Sequence, residues 1–151
     1  MCATRKPAPI EEAVEACRRA VARYHTPRSQ VLVIRERMPG LNAYIDAERG
    51  HRYQASKLKK HWTEIVAFQA RRQGLQSVRH YPVTVRCDWY EENRRRDVDN
   101  VRFAIKFVLD GLQAAGVIES DGQRHVAGLE DGFYVDSDDP RVVVTIVEAG
   151  E

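Results

Sequence analysis

The stretch RRRDVDN, residues 94–100, sets three guanidinium groups directly against two carboxylates and leads into a strongly patterned apolar segment. Beyond it, apolar side chains recur with the spacing of one helix face, at Val101, Ile105, Val108, Leu112 and Ala115. Gly116 follows at the point where a left-handed residue would end such a helix. The sequence therefore predicts a helix from about Asn100 to Gly116 with a charged cluster at its start.

Strand patterns lie on both sides of this helix. Residues 83–90 alternate between apolar and polar side chains, which predicts a half-buried strand. Residues 126–135 and 141–147 form two more strand-like runs, separated by an acidic turn at residues 136–140. A shorter buried strand is expected at residues 31–34.

Two further helices are expected upstream. Residues 9–25 carry apolar side chains on one face and acids in the first turn. A second helix should begin at Ser56, end near Gly74 and carry basic residues on its outer faces. Its core-facing side chains are expected to be Leu58, Trp62, Ile65 and Phe68. The predicted class is therefore α+β: a helical extension over residues 1–30, then one compact domain over residues 31–151, with a small mixed sheet packed against helices.

Composition places the chain among globular proteins. It has 151 residues, of which 43% are hydrophobic and 30% charged. No apolar run approaches the roughly 18 to 20 residues that span a bilayer, and no signal-peptide core is present, so we expect a cytoplasmic protein with no membrane partner. Cys2, Cys17 and Cys87 are odd in number and lack CxxC spacing, which argues against a disulfide framework or a zinc knuckle. Cys87 is expected in the core.

Charge is distributed unevenly, although the net charge is only +2. Residues 49–80 contain eight basic residues and one acid, whereas residues 97–151 contain four basic residues and twelve acids. The middle of the chain is a candidate surface for a polyanion. The last third is a candidate cation site or an ordinary solvated face.

The two aspartates of the opening stretch are candidate metal ligands. If the chain is still extended at Asp97, side-chain alternation places Asp97 and Asp99 on the same side, with Cα atoms about 7 Å apart. Two carboxylates can converge on Mg²⁺, which prefers oxygen ligands and keeps several waters. Asp121 is the expected third acid, provided that residues 117–118 run back along the helix. The alternative is that Asp99 or Asn100 caps the helix and Asp97 pairs with an arginine.

Basic residues around this cluster are candidate phosphate contacts. Lys106 lies seven residues after Asp99, two helical turns on, so its ammonium would stabilise charge that develops on a phosphate near the acids. The alternative is an exposed ion pair between Lys106 and Asp110. The candidate DNA-binding residues are Arg94, Arg95, Arg96, Lys57, Lys59, Lys60 and Arg102.

Other motifs are weak or missing. Residues 136–139 begin like a calcium loop but lack its glycine and its final glutamate, where Arg141 and Val147 stand, so a solvated turn is expected. His125 follows Asp121 by four residues and is a minor candidate for a proton carrier. The sequence contains no glycine-rich phosphate loop and no GxSxG motif.

Several of these segments resemble one family, the RusA-like Holliday-junction resolvases of bacteria and their phages. The resemblance spans about residues 31–147, and it is carried by RRRDVDN, by LDGLQAAGVI (109–118) and ESDGQ (119–123), and by PGLNAYI (39–45), which is similar to a loop of the family. It implies a homodimeric, Mg²⁺-dependent endonuclease, with Mn²⁺ as an alternative ion, that recognises branched DNA such as four-way junctions by shape during recombination and repair. In that family the residues matching Asp97, Asp99 and Asp121 form the catalytic metal site. Lys106 matches an assisting lysine.

Two other functional classes remain open. Ser120 stands where many members of the family have a second acid, and the lysine comes later than in its shorter members. A nucleic-acid-binding accessory protein that kept the fold and lost the reaction would show such changes. A protein-interaction domain with an acidic face is the third class.

Overall fold

The computed structural model describes residues 28–150, which form one compact domain of a mixed sheet and helices. The elements in chain order are β1 (Ser29–Ile34), α1 (Leu41–Gly50), α2 (Arg52–Arg72), β2 (Val83–Glu91), α3 (Val98–Arg102), α4 (Ile105–Ala114), β3 (Val126–Val135) and β4 (Arg141–Glu148). The expected α+β class is confirmed. The helix predicted over residues 9–25 lies outside the described residues.

The sheet has the strand order β1-β4-β2-β3. β4 pairs antiparallel with both β1 and β2, whereas β2 and β3 are parallel. The alternation predicted for β2 is confirmed, since Val83, Val85, Cys87 and Trp89 are buried and the residues between them are half-buried. A parallel pair requires a crossover, and here α3 and α4 supply it.

The helices pack on the face of the sheet that carries the buried side chains of β2. Val66 of α2 and Phe107 of α4 are fully buried in the shared core. Phe68, expected in the core, is 58% exposed. Val66 and Ala70 are buried on the side of α2 that faces the core. Phe68 is two positions from each of them, and two positions correspond to a rotation of about 200° around the helix axis. Phe68 therefore lies on the outer side.

The helix boundaries differ from the prediction at three places. Residues 41–50 form α1, where the family resemblance implied a loop, and α2 begins at Arg52 rather than Ser56. The predicted helix after Asn100 is interrupted at residues 103–104, where backbone hydrogen bonds such as Ala104 N–H to the Val101 carbonyl tighten the chain. Gly116 ends α4 with φ of 74°, as predicted. No helix within residues 28–150 has both the length and the apolar character to cross a bilayer.

The topology separates the two loops that carry the candidate acids. Parallel pairing aligns Val83 with Val126 at one end of the sheet and Glu91 with Val135 at the other. The loop after β2 and the start of α3 therefore lie at the carboxyl ends of β2 and β3. The loop between α4 and β3 lies at their amino ends, one strand length away.

Candidate functional site

Asp97 and Asp99 line one cleft at the carboxyl ends of β2 and β3. The cleft has a volume of about 570 Å³, and its lining includes Arg94 and the apolar residues Phe133 and Val135. The aspartates come together through the start of a helix rather than through strand alternation. Asp97 is the extended residue before α3, with φ of −66° and ψ of 155°, and Asp99 lies in the first turn.

Both carboxylates are exposed, and within residues 28–150 neither has a hydrogen bond or an ion pair. The alternative that Asp97 simply pairs with a neighbouring arginine is therefore not what the structure shows. Asp99 does not cap α3 either, because the residue before that helix is Asp97, and its side chain makes no capping hydrogen bond. The two acids remain available to a ligand in the cleft.

Asn100 has a structural role that the sequence did not predict. Its side chain is buried, and its Oδ1 accepts a hydrogen bond from the backbone N–H of Asn42 at 3.0 Å, in the first turn of α1. The backbone of Gly40 packs against it so closely that a Cβ there would lie 2.3 Å from Asn100 Oδ1. Asn100 therefore satisfies a free N–H of α1 rather than capping its own helix.

Arg96 is held by protein groups. Its guanidinium donates to both carboxylate oxygens of Glu91, at 3.0 and 2.5 Å, and to the carbonyl oxygen of Met38 at 3.0 Å. Only 17% of the side chain is exposed. Arg96 thus ties the end of β2 to the loop before α1. Arg94 and Arg95, by contrast, are exposed and have no side-chain partner within the described residues.

Two more of the predicted DNA-binding residues form ion pairs within the protein. Arg102 Nε donates to Asp131 Oδ2 at 2.5 Å, while Asp131 Oδ1 accepts from the indole N–H of Trp89 at 2.8 Å. Lys59 Nζ lies 3.4 Å from Asp110 Oδ2, although that oxygen lacks a well-aligned hydrogen bond. We interpret the Lys59 contact as a charge pair that joins α2 to α4.

On the outer face of α2, Lys57 is exposed, and Lys60 makes only a 4.0 Å contact with Glu64, one turn on. Exposed pairs of this kind contribute about 0.3 to 0.5 kcal/mol and do not prevent a side chain from reaching a phosphate.

Lys106 is exposed at the start of α4 and is not among the residues that line the cleft of Asp97 and Asp99. The break at residues 103–104 places Lys106 and Asp99 on separate helices, so the argument from two turns of one helix does not hold. The alternative pair with Asp110 is not formed, since Asp110 contacts Lys59. Lys106 has no side-chain partner within residues 28–150.

Asp121 lies at the opposite end of β2 from the cleft. The backbone N–H of Val78 donates to the Val117 carbonyl at 2.8 Å, and that of Val83 donates to the His125 carbonyl at 2.7 Å. These bonds fix the connection beside the start of β2, so residues 117–118 do not run back along the helix. At about 3.3 Å per residue, the nine residues of β2 separate Asp121 from Asp97 by roughly 25 Å.

The three acids therefore do not meet within one chain. The residues that the structure describes contain no group of three or more His, Cys, Asp or Glu side chains able to hold one metal ion. The expected convergence of Asp121 with the other two acids is not found. Two carboxylates still fit part of a Mg²⁺ site, because this ion is commonly bound through one or two carboxylates together with waters and substrate phosphates.

Local contacts hold the loop that carries Asp121. Ser120 Oγ accepts a hydrogen bond from the backbone N–H of Gly122 at 3.1 Å. His125 Nε2 lies 3.3 Å from Glu119 Oε2, and its ring packs edge-on against Tyr81 with centroids 4.8 Å apart. The nearest carboxylate partner of His125 is thus Glu119, not Asp121.

Two other groups have shifted pKa values with clear causes. Burial raises the pKa of the Cys87 thiol, which keeps this core cysteine protonated and unreactive. The Arg141 guanidinium, 2.8 Å from Asp136 Oδ2, lowers the pKa of Asp136. The backbone N–H groups of Asp138 and Asp139 also donate to Asp136. The acidic segment is therefore a self-contained turn, as predicted.

No protein-family model matches this sequence, and no curated protein matches it with significance. The resemblance to the RusA-like resolvases thus stays a prediction, and it depends on residues 39–45, 94–100 and 109–123.

Proposed function

We propose that this protein is a Mg²⁺-dependent endodeoxyribonuclease that acts on branched DNA, such as four-way junctions, and that the cleft of Asp97 and Asp99 is its cleavage site. One observation carries the proposal. Two carboxylates that have no partner among residues 28–150 line the same open cleft, although three arginines precede them directly in the sequence. If the cluster were only a structural ion-pair patch, the arginines would pair with these two carboxylates.

The charges in the cleft favour a bound cation. Two neighbouring carboxylates repel one another, and a divalent ion between them removes that repulsion. Asp97 and Asp99 would hold the ion. Mg²⁺, or Mn²⁺ in its place, would supply Lewis acidity and a water of lowered pKa for phosphodiester hydrolysis.

The exposed arginines next to the cleft would position the DNA backbone. Arg94 lines the cleft, and Arg95 is exposed beside it. Lys57 and Lys60 offer further positive charge on the outer face of α2. Contacts from such side chains to phosphates give affinity without base identity, so selectivity for branched DNA must come from the arrangement of two sites in a dimer.

The test compares a four-way junction with a linear duplex of equal length, each incubated with the protein in Mg²⁺ or in EDTA. We expect Mg²⁺-dependent nicking of the junction. Asp99→Asn should abolish nicking while junction binding is kept or strengthened, because the change removes a metal ligand and a negative charge together. Asp138→Asn is the matched control, since Asp138 is an exposed acid in the turn before β4 and does not line the cleft. Nicking by Asp99→Asn at the wild-type rate would remove Asp99 from the site.

A second candidate function is binding of branched DNA without cleavage. It is favoured by the observation that one chain brings only two of the three expected acids into the cleft, with Ser120 beside the third. The same gel distinguishes the two functions, since a binding protein would retain the junction, lose affinity as salt is added and give no product with Mg²⁺. Failure to retain either DNA would instead indicate a protein-interaction domain.

A further inference from the structure

The face of the sheet that points away from the helices, here called the open face, is partly apolar. Within residues 28–150 the helices pack on the other face, and no side chain of β1 or β4 that points to the open face is fully buried. Four of these side chains form what we call the valine patch: Val31, Val33, Val143 and Val147. Val31 is 51% exposed, and the other three are half-buried. An apolar sheet face is stable in water when another element covers it.

The valine patch is continuous and lies at one side of the open face. Val33 of β1 is directly opposite Val143 of β4, and Val31 is opposite Thr145, between Val143 and Val147. On the side of β2 and β3, the open face carries charged side chains that pair with one another: Arg86, Asp88 and Glu130. An element that covers the apolar part of this face must therefore lie over β1 and β4.

Residues 9–25, which lie outside the described residues, have the sequence pattern that such an element needs. At 100° per residue of an α-helix, five apolar side chains fall within an arc of about 80°. These are Ile10, Val14, Cys17, Val21 and Tyr24. Glu12 and Arg19 fall on the opposite side. The length also matches, since a helix over residues 9–25 spans roughly 25 Å and the strand β4 spans roughly 26 Å.

The connection to β1 keeps this predicted helix close to the start of the strand. The helix is expected to end near His25, and β1 begins at Ser29, so residues 26–28 connect the two. Three extended residues reach about 10 Å. This is also about the distance between packed layers of secondary structure. Residues 9–25 must therefore pack on a surface that begins beside Ser29.

Two of the three surfaces around β1 are already occupied. On the helix side, the buried residues of β1 pack in the core. At the edge of the sheet, the Gln73 side chain accepts from the Val33 N–H at 3.0 Å and donates to the Val33 carbonyl oxygen at 2.7 Å. The Gln30 side chain bonds the backbone N–H and carbonyl oxygen of Gln76 in the same way, at 2.7 and 2.8 Å. The surface that remains is the open face.

We propose that residues 9–25 form a helix that packs on the valine patch, so that the sheet is covered on both faces. This inference goes beyond the proposed function and does not depend on it. The short connection makes the helix run antiparallel to β1. At 1.5 Å per helical residue and 3.3 Å per strand residue, Val21 and Val31 lie about 6 and 7 Å from the connection, and Cys17 and Val33 about 12 and 13 Å. Val21 therefore faces Val31, and Cys17 faces Val33 and its neighbour Val143.

Crosslinking tests this arrangement, because Cys17 is a natural probe on the predicted apolar side of the helix. In full-length protein with Cys2→Ser, a cysteine replaces Val33, Val143 or Phe68, and a short bismaleimide is added. Cys87 is buried and does not compete. Peptide mapping by mass should show Cys17 joined within one chain to the cysteine at position 33 or 143. Phe68→Cys is the control, since Phe68 is the exposed apolar residue of α2, away from the open face, and it should not crosslink.

Three results of the crosslinking would overturn the proposal. If neither Val33→Cys nor Val143→Cys is joined to Cys17, residues 9–25 do not lie on the valine patch. A crosslink to Phe68→Cys of equal yield would place the segment on α2 or show that it has no fixed position. A crosslink that joins two chains would show that the segment covers a second copy instead.

Thermal unfolding of the full chain gives an independent readout. Val21→Asp places a carboxylate against the valine patch and should lower Tm by about 4 °C or more. Ala22→Asp is the matched control, because it introduces the same side chain one position away, outside the apolar arc, and its Tm should stay within about 1 °C of the wild type. Val31→Asp added to Val21→Asp should lower Tm by less than it does alone, since the contact is already lost. Equal Tm values for Val21→Asp and Ala22→Asp, or strictly additive losses in the double variant, would refute the contact.

Discussion

Replacing Gly40 by alanine should disturb the contact that positions the two candidate metal ligands. Gly40 is buried directly before α1, against the start of α3. A Cβ at this position would lie 2.3 Å from Asn100 Oδ1, 2.6 Å from the Asn100 backbone oxygen and 2.9 Å from Cγ. Cβ atoms in proteins essentially never lie closer than 3.0 Å to a heavy atom that is not bonded to them, so the neighbouring groups must move.

The two kinds of clash have different costs. Asn100 Oδ1 can turn away if its hydrogen bond to Asn42 is lost, which costs about 1 kcal/mol. The backbone oxygen can move only if the start of α3 moves with it, and overpacking of this kind costs about 1 to 3 kcal/mol. We expect Gly40→Ala to lower the free energy of unfolding by about 2 to 4 kcal/mol, with a fall in Tm of about 2 to 4 °C for each kcal/mol.

Urea unfolding followed by tryptophan fluorescence measures this loss. Gly50→Ala is the matched control, because its Cβ would meet only the flexible end of Gln54, at 3.0 Å, and its stability should change by no more than about 0.5 kcal/mol. Asn100→Ala combined with Gly40→Ala should recover only part of the loss, since the backbone clash remains. If Gly40→Ala were as stable as Gly50→Ala, the close packing of α1 on α3 would be refuted.

Two further predictions concern the framework of the domain. A Cβ at Gly111 would lie 2.4 Å from Val66 Cβ, so Gly111→Ala should lower the free energy of unfolding by about 1 to 3 kcal/mol in urea titrations, while Gln113→Ala on the exposed side of α4 should be nearly neutral. Because Arg141 lowers the pKa of Asp136 in the folded state, the unfolded state binds this proton more readily. The stabilisation should be present above about pH 4 and be lost as the pH falls through the lowered pKa. Urea midpoints from pH 6 to pH 2 should therefore fall less steeply for Asp136→Asn, and identical slopes would show that this pair does not contribute.

The sequence by itself determined the elements that depend on local pattern. Alternation identified β2, the acidic turn separated β3 from β4, and Gly116 marked the end of α4, where its φ of 74° is one that other residues rarely adopt. The charged stretch was also located correctly at a helix start. These patterns involve residues that are close together in the sequence, so they can be recognised without knowledge of the fold.

Other features depended on contacts between distant segments. None of the residues 41–50 is fully buried, and α1 is held in place by Asn100, 58 positions from its partner Asn42. Arg96 pairs with Glu91 and Met38, so its guanidinium is not available to a ligand of the charged stretch. This pairing likewise depends on where β2 ends.

The position of Asp121 was decided by tertiary structure alone. Spacing along the chain allowed it to return to Asp97 and Asp99, but the parallel pairing of β2 with β3 requires the crossover to end at the far end of the sheet. A sequence records how many residues separate two acids, whereas strand direction decides which end of the sheet each one occupies. For this reason the same three aspartates that suggest one metal site in the sequence lie at opposite ends of the sheet.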